Sequence, residues 1–251
     1  QDQNAGADAY NIAIGYEAGK EVTTGVQNTI IGGLAGDGLT TGNNNVAVGY
    51  LALSVEDAGS NNVAIGTKAL TLMDAGADAY NTAVGHNAGL NVSTGTKNTL
   101  IGGLAGDALT TGIQNVAIGY GALSTEDAHG KNVAIGYNVL NAQDAGVDAY
   151  NVAVGYDAGL SVSTGVKNTI VGGLAGDALT TGSNNVALGH NALSTEDTGG
   201  RNVAIGHGAL RNQDSGGDVY NVAIGYEAGL SVTTGGYNVL IGGRAGDAIT
   251  S

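Results

Sequence analysis

Residues 62–66 read Asn-Val-Ala-Ile-Gly, and residues 115–119 and 202–206 repeat that pentapeptide unchanged. Related pentapeptides, with Val, Thr or Ile after the Asn and two aliphatic residues before the Gly, run along the whole 251-residue chain. The steps between them are 17, 17, 17 and 19 residues, so four units form a super-repeat of 70 residues. The repeat Asn residues are Asn11, Asn28, Asn45, Asn62, Asn81, Asn98, Asn115, Asn132, Asn151, Asn168, Asn185, Asn202, Asn221 and Asn238.

This period predicts an all-β fold, a parallel β-solenoid or β-roll of about fourteen coils, each coil being one repeat of 17 to 19 residues. Val, Ile and Thr favour a short strand, and the Gly after them ends it. No sustained 3.6-residue period indicates a helix. Stacked coils would place the Asn residues in a structural ladder, bonded side chain to side chain. We expect residues 1–251 to be a single repeat domain, uncapped at both ends and part of a longer fibre.

Composition excludes several classes of protein. The chain has 46 Gly and 11 Tyr but no Pro, Cys, Phe or Trp, so disulfides and cysteine-based zinc sites are excluded. Its formal net charge is −14 with only eight Lys and Arg, which argues against nucleic-acid binding. No run of 18 apolar residues indicates membrane insertion. No His lies beside a recurring nucleophile, so we expect no enzymatic activity and no catalytic residue.

Both faces of the repeat strand are apolar, which suggests burial on both. The residues one and three positions after each Asn point to one side, and the residue between them points to the other. We expect the first set to fill the coils and the middle residue to form a stripe for self-association. The predicted oligomer interface comprises Ala13, Ile30, Ala47, Ala64, Leu100, Ala117, Ile170, Ala187 and Leu240.

The strings at residues 62–66, 115–119 and 202–206 resemble the head repeats of trimeric autotransporter adhesins of the YadA type. They are also similar to repeats in phage and bacterial fibre proteins. The resemblance covers nearly the whole chain. It implies a left-handed β-roll, a homotrimer with three chains side by side, and an extracellular location on a cell surface or virion. It also implies that the apolar stripe is the contact between chains.

Acidic residues gather in two of every four coils, where a two-residue insertion also falls. Their turn motifs, such as Asp-Ala-Gly, are typical of Asp that caps its own backbone. The alternative is a Ca²⁺ site in each super-repeat, because calcium prefers six to eight oxygen ligands. The candidate ligands are Glu56, Asp57, Asp74, Asp78, Glu126, Asp127, Asp144, Asp148, Glu196, Asp197, Asp214 and Asp218.

The sequence therefore favours a structural or adhesive fibre segment, either an adhesin head or a tail-fibre shaft, that attaches to an unidentified receptor or glycan. The alternative is a monomeric solenoid that binds ice or glycan. Its Thr-Thr-Gly turns could form a regular hydroxyl array, although Asp interrupts that array every two coils. A Tyr precedes the repeat Asn after each insertion and could cover the acidic residues or stack on sugars. These residues are Tyr10, Tyr80, Tyr150 and Tyr220.

Overall fold

The computed structural model describes Gly6 and residues 8–251. The chain divides into two compact units, residues 1–129 and residues 130–251. In both units every strand has three residues and directly follows a repeat Asn. The first unit contains β1 (Ile12–Ile14), β2 (Thr29–Ile31), β3 (Val46–Val48), β4 (Val63–Ile65), β5 (Thr82–Val84), β6 (Thr99–Ile101) and β7 (Val116–Ile118). The second contains β8 (Val133–Ile135), β9 (Val152–Val154), β10 (Thr169–Val171), β11 (Val186–Leu188), β12 (Val203–Ile205), β13 (Val222–Ile224) and β14 (Val239–Ile241).

Within each unit, consecutive strands pair in parallel and the register follows the repeat. Ala47 of β3 faces Ala64 of β4, and Ile170 of β10 faces Ala187 of β11. Each unit is thus a stack of seven coils, and no helix occurs among the described residues. The prediction of an all-β parallel solenoid with about fourteen coils is confirmed. Parallel pairing without a long crossover is possible because each coil returns the chain to the next level of the sheet.

The glycine that ends each strand has a backbone that other residues rarely adopt. Gly32, Gly102 and Gly172 have φ of 135°, 133° and 136°. A Cβ added to Gly172 would lie 2.5 Å from the carbonyl oxygen of Gly189 in the next coil. The glycine is therefore required by its own conformation and by the close approach of neighbouring coils.

The interior of each unit is narrow and filled by small residues. The middle residues of the strands, such as Ala47, Ala64 and Ala187, are completely buried within one chain. An Ala recurs seven positions after the Asn, with Val139 in its place once, and members such as Ala35 and Ala105 are buried too. Leu side chains, such as Leu39, Leu70 and Leu179, fill the remaining space.

The predicted orientation of the strands was wrong. Of the nine residues assigned to an oligomer interface, seven are buried inside their own units: Ile30, Ala47, Ala64, Leu100, Ala117, Ile170 and Ala187. Ala13 is exposed and Leu240 partly exposed; they lie in the first and the last strand, β1 and β14. The narrow interior accepts the small middle residue, so the larger residues one and three positions after each Asn face outward.

The repeat Asn residues form a ladder, but they bond to the backbone and not to each other's side chains. Nδ2 of Asn28 donates to the carbonyl of Gly42 at 2.8 Å, and its Oδ1 accepts from the backbone N–H of Asn45 at 2.9 Å. The same pair of bonds recurs at Asn98 and Asn168. Each buried amide thus ties a turn to a strand start and also joins two coils.

The ladder loses one bond at the two-residue insertion. Nδ2 of Asn62 and Nδ2 of Asn202 are buried and have no acceptor among the described residues. Their Oδ1 atoms still accept from the backbone N–H of Asn81 and Asn221, both at 3.1 Å. The insertion therefore changes the turn that would otherwise supply the acceptor.

Candidate functional site

The outer face of the strands carries two columns of aliphatic side chains. These columns, termed the outer face, contain the residues one and three positions after each repeat Asn. In every strand these two positions hold Val, Ile, Leu or Thr, and no charged residue occurs there. Ile65 and Ile101 in the first unit, and Val152 and Val171 in the second, are between 36% and 38% exposed although they lie in the middle of their stacks. A regular apolar surface of this kind is typical of a contact with another molecule.

The acidic residues do not act as one group, because the Glu in each set is buried and bonded to the backbone. Oε1 of Glu56 accepts from the N–H of Gly59 at 2.6 Å, and its Oε2 accepts from Ala75 at 3.4 Å. Burial raises the pKa of the Glu56 carboxyl, and these two backbone hydrogen bonds oppose the rise. Glu126 is also buried and accepts from the N–H of His129 at 3.1 Å.

Glu196 has the most complete set of partners. It accepts from Gly199 N at 2.7 Å, Gln213 Nε2 at 3.1 Å, and both N and Oγ of Ser215 at 3.3 and 2.9 Å. Gln213 also accepts from the ladder residue Asn221 at 3.0 Å. This network links the buried carboxylate to the Asn ladder, a role that the sequence analysis missed. The Gln eight residues before a ladder Asn is the feature that could have indicated it.

The other acidic candidates form two groups with different surroundings. Asp57, Asp74, Asp127, Asp144, Asp197 and Asp214 are exposed turn residues. Asp78, Asp148 and Asp218 lie beside Tyr or basic side chains. Tyr80 Oη donates to Asp78 at 3.3 Å, Lys131 Nζ lies 2.6 Å from Asp148, and Arg201 Nε lies 2.9 Å from Asp218.

Carboxylates converge closely enough for a cation at Glu196, Asp197 and Asp214 in the second unit, where one oxygen of each lies within 4.8 Å of the others. The hydrogen bonds of Glu196 already occupy much of its accepting capacity. Calcium binding stays a prediction. If calcium binds there, Ca²⁺ should raise the unfolding midpoint, EDTA should reverse the rise, and Asp214→Asn should abolish it. An unchanged midpoint would contradict calcium binding.

A column of exposed rings runs beside the outer face. This ring column contains the Tyr and His residues that stand five positions after a repeat Asn; Thr67 and four glycines occupy the other equivalent positions. Tyr137 stacks on Tyr156 with centroids 5.4 Å apart, and His190 stacks on His207 at 5.3 Å. His207 in turn stacks on Tyr226 at 5.3 Å. The stacking follows from the register, which places equivalent side chains directly above one another.

Met73 interrupts the buried network in the first unit, and this gives a test. Met73 stands where the second unit has Gln143 and Gln213, and Asn81 Nδ2 lies 3.5 Å from its sulfur. We expect Met73→Gln to give Glu56 the donor that Gln213 gives Glu196. A hydrogen bond to a buried carboxylate contributes about 1.5–3 kcal/mol.

Met73→Gln should reduce the decrease in the free energy of unfolding that accompanies rising pH. Burial raises the pKa of Glu56 above 4.5 in the folded chain, so its contribution is full below that value and is lost as pH rises through the raised pKa. Urea unfolding at pH 4 and pH 8 should give a smaller difference for Met73→Gln than for the unsubstituted chain. Gln213→Met is the reciprocal control and should lower stability at pH 8. An unchanged pH difference in Met73→Gln would contradict the assignment.

Neither a protein-family model nor a curated protein matches this chain. Among the described residues, no helix has the length and apolar character needed to cross a membrane.

Proposed function

We propose that the chain is a non-enzymatic structural segment of an adhesive fibre, and that copies of it associate side by side through the outer face. The observation that carries the proposal is the partial exposure of the outer aliphatic columns in both units. Parallel ladders of Val, Ile, Leu and Thr give a regular surface that a second copy can match residue by residue. Placement on a cell surface or virion is part of the same proposal.

A homotrimer is the assembly that we propose, as the resemblance to adhesin head repeats implies. It uses the opposite strand face from the one that the sequence analysis assigned, but it keeps the principle that an apolar stripe joins the chains. The buried Asn ladders and the backbone ladders would give each chain stiffness, while the outer face would join the chains. The fibre would attach to a receptor on the surface that it contacts.

Sedimentation equilibrium tests the assembly. We expect a mass three times the 24.5 kDa of one chain. The double variant Val186→Lys with Leu188→Lys puts two charges on the outer face of β11 and should weaken association at least about tenfold, since a buried unpaired charge costs several kcal/mol. Thr181→Lys, at an exposed turn, is the matched control and should leave the mass unchanged.

Adding Lys also makes the net charge less negative than −14, so dissociation of the double variant could not result from greater overall repulsion. A monomer at all concentrations of the unsubstituted chain would overturn the proposal. Thermal hysteresis by such a monomer would then favour the ice-binding alternative.

A further inference from the structure

The ring column is interrupted once in every four coils by a glycine. Gly33 separates Tyr16 from Tyr50, Gly103 separates His86 from Tyr120, and Gly173 separates Tyr156 from His190. Each of these spaces between two rings is termed a ring slot. All three slots lie within single units, on strands that pair consecutively.

The size of a ring slot follows from the stacking beside it. Rings in adjacent coils have centroids 5.3–5.4 Å apart. Two rings that are separated by one glycine coil should thus lie about 10 Å apart, from the spacing of stacked strands. A planar group midway would lie about 5 Å from both rings, within the range of stacked aromatic pairs. A slot of this expected size would hold one planar group.

The glycine in the slot is not required by the backbone. Gly173 is not among the glycines with positive φ, and an added Cβ would meet only ordinary contacts, 3.5 Å from His190 Cδ2 and 4.0 Å from the carbonyl oxygen of Tyr156. This distinguishes it from its neighbour Gly172, where a Cβ would collide with backbone. A Cβ is therefore tolerated at residue 173, and the glycine itself places no side chain between the rings.

A carboxylate stands at the rim of two of the three slots. Glu17 follows Tyr16, and Asp157 follows Tyr156. A hydrogen bond with Glu17 raises the pKa of the Tyr16 phenol, and the charge of Asp157 raises that of Tyr156. Lys20 lies 3.8 Å from Glu17 and competes for that carboxylate. The slot at His86 has Asn87 in the equivalent position.

The chain itself places a planar cation at the next equivalent position. Arg244 occupies the place of Leu34, Leu104 and Leu174, and its backbone N–H bonds to Tyr226 as that of Leu174 bonds to Tyr156. Its guanidinium carbon lies 5.9 Å from the centroid of Tyr226, and its Nε donates to Glu227 at 3.0 Å. Tyr226 thus contacts the ring of His207 in the preceding coil and the guanidinium of Arg244 in the next.

We propose that the ring slot formed by Tyr156, Gly173 and His190 binds the guanidinium group of an arginine from outside the chain, with Asp157 as its counter-ion. The rings stack on the planar cation, and the carboxylate accepts its N–H groups. The guanidinium of the ligand would contact Tyr156 and Asp157 as the guanidinium of Arg244 contacts Tyr226 and Glu227. The planar fork favours arginine over lysine, whose ammonium is compact and more strongly hydrated. This binding is independent of whether the outer face joins chains.

NMR titration of the aromatic ring signals tests the proposal, with Nα-acetyl-arginine amide as the probe and Nα-acetyl-lysine amide as the matched cation. We expect the signals of Tyr156 and His190 to shift with the arginine probe, and the lysine probe to bind at least about threefold more weakly. Equal shifts with both probes would mean general attraction to a chain of net charge −14 and would overturn the proposal.

Two variants locate the site. Gly173→Tyr fills the slot with a ring, as the stacked Tyr137 and Tyr156 do in adjacent coils, and should lower affinity at least about tenfold. Asp157→Asn copies the natural Asn87 slot, leaves the space open, and should lower affinity about two- to fivefold. Unchanged binding by Asp157→Asn would overturn the role of the carboxylate even if Gly173→Tyr did not fold. Unchanged binding by a folded Gly173→Tyr would overturn the slot.

Discussion

Gly172→Ala should destabilise the second unit by about 3–5 kcal/mol and should lower its unfolding midpoint. Two independent costs add. Gly172 has φ of 136°, a conformation that an L side chain rarely adopts. The new Cβ would also lie 2.5 Å from the carbonyl oxygen and 2.6 Å from the carbonyl carbon of Gly189. Neither atom can move without shifting the parallel ladder between β10 and β11.

Gly217→Ala is the matched control for this result. Gly217 lies in the same unit, no atom lies within 4 Å of its added Cβ, and its φ is not in the positive range. Its substitution should change stability by less than about 0.5 kcal/mol. Urea unfolding of the two variants measures the difference. Equal midpoints would contradict the view that the strand-end glycine is fixed by the neighbouring coil.

The repeat pattern was sufficient to predict the fold, because it shows both the strand and the turn of each coil. The strand residues, the Gly after them and the constant return to Asn identify a stack of parallel strands without any knowledge of the contacts. Each strand begins directly after the predicted Asn, as in Val63–Ile65 after Asn62. The register of the parallel strands follows from the same spacing, since steps of 17 and 19 residues place equivalent positions opposite each other.

Alternation did not show which strand face points into the coil, because both sets of residues are apolar. The size of the residues would have distinguished the two faces. The Ala that recurs seven positions after the Asn already indicated a narrow interior, which favours the small middle residue of Val-Ala-Ile. The occasional Ile30, Leu100 and Ile170 made this column resemble a surface contact. They are buried, and each pairs with an Ala in the next coil, such as Ala47 or Ala187.

The buried Glu residues were missed for a different reason. Clustered acids in turns are usually exposed, and charge patterning alone does not separate the Glu from the Asp among the twelve candidates. Glu56 and Glu196 each precede a Gly by three residues, and a Cβ on that Gly would lie 2.4 Å from the carboxylate carbon. The Glu side chain folds back over the Gly and caps its N–H. Such a contact depends on the path of the turn, which charge patterning does not predict.

The Asn ladder should be almost as sensitive as the glycine. Asn168→Ala is expected to destabilise the second unit by about 2–5 kcal/mol, since it leaves two buried backbone groups without partners at about 1–3 kcal/mol each. These groups are the carbonyl of Gly182, at 2.9 Å from Asn168 Nδ2, and the N–H of Asn185, at 2.9 Å from its Oδ1. Urea unfolding measures the loss.

Asn202→Ala provides a control from the same ladder, with the same burial and the same change in volume. Nδ2 of Asn202 has no acceptor among the described residues, so its removal abolishes only the bond from the N–H of Asn221 to Oδ1. It should therefore cost about 1–3 kcal/mol less than Asn168→Ala. The exposed Asn212→Ala should cost less than about 0.5 kcal/mol. Equal losses at Asn168 and Asn202 would mean that the ladder stabilises the coils by filling volume, and that the bond from Nδ2 to the turn carbonyl contributes little.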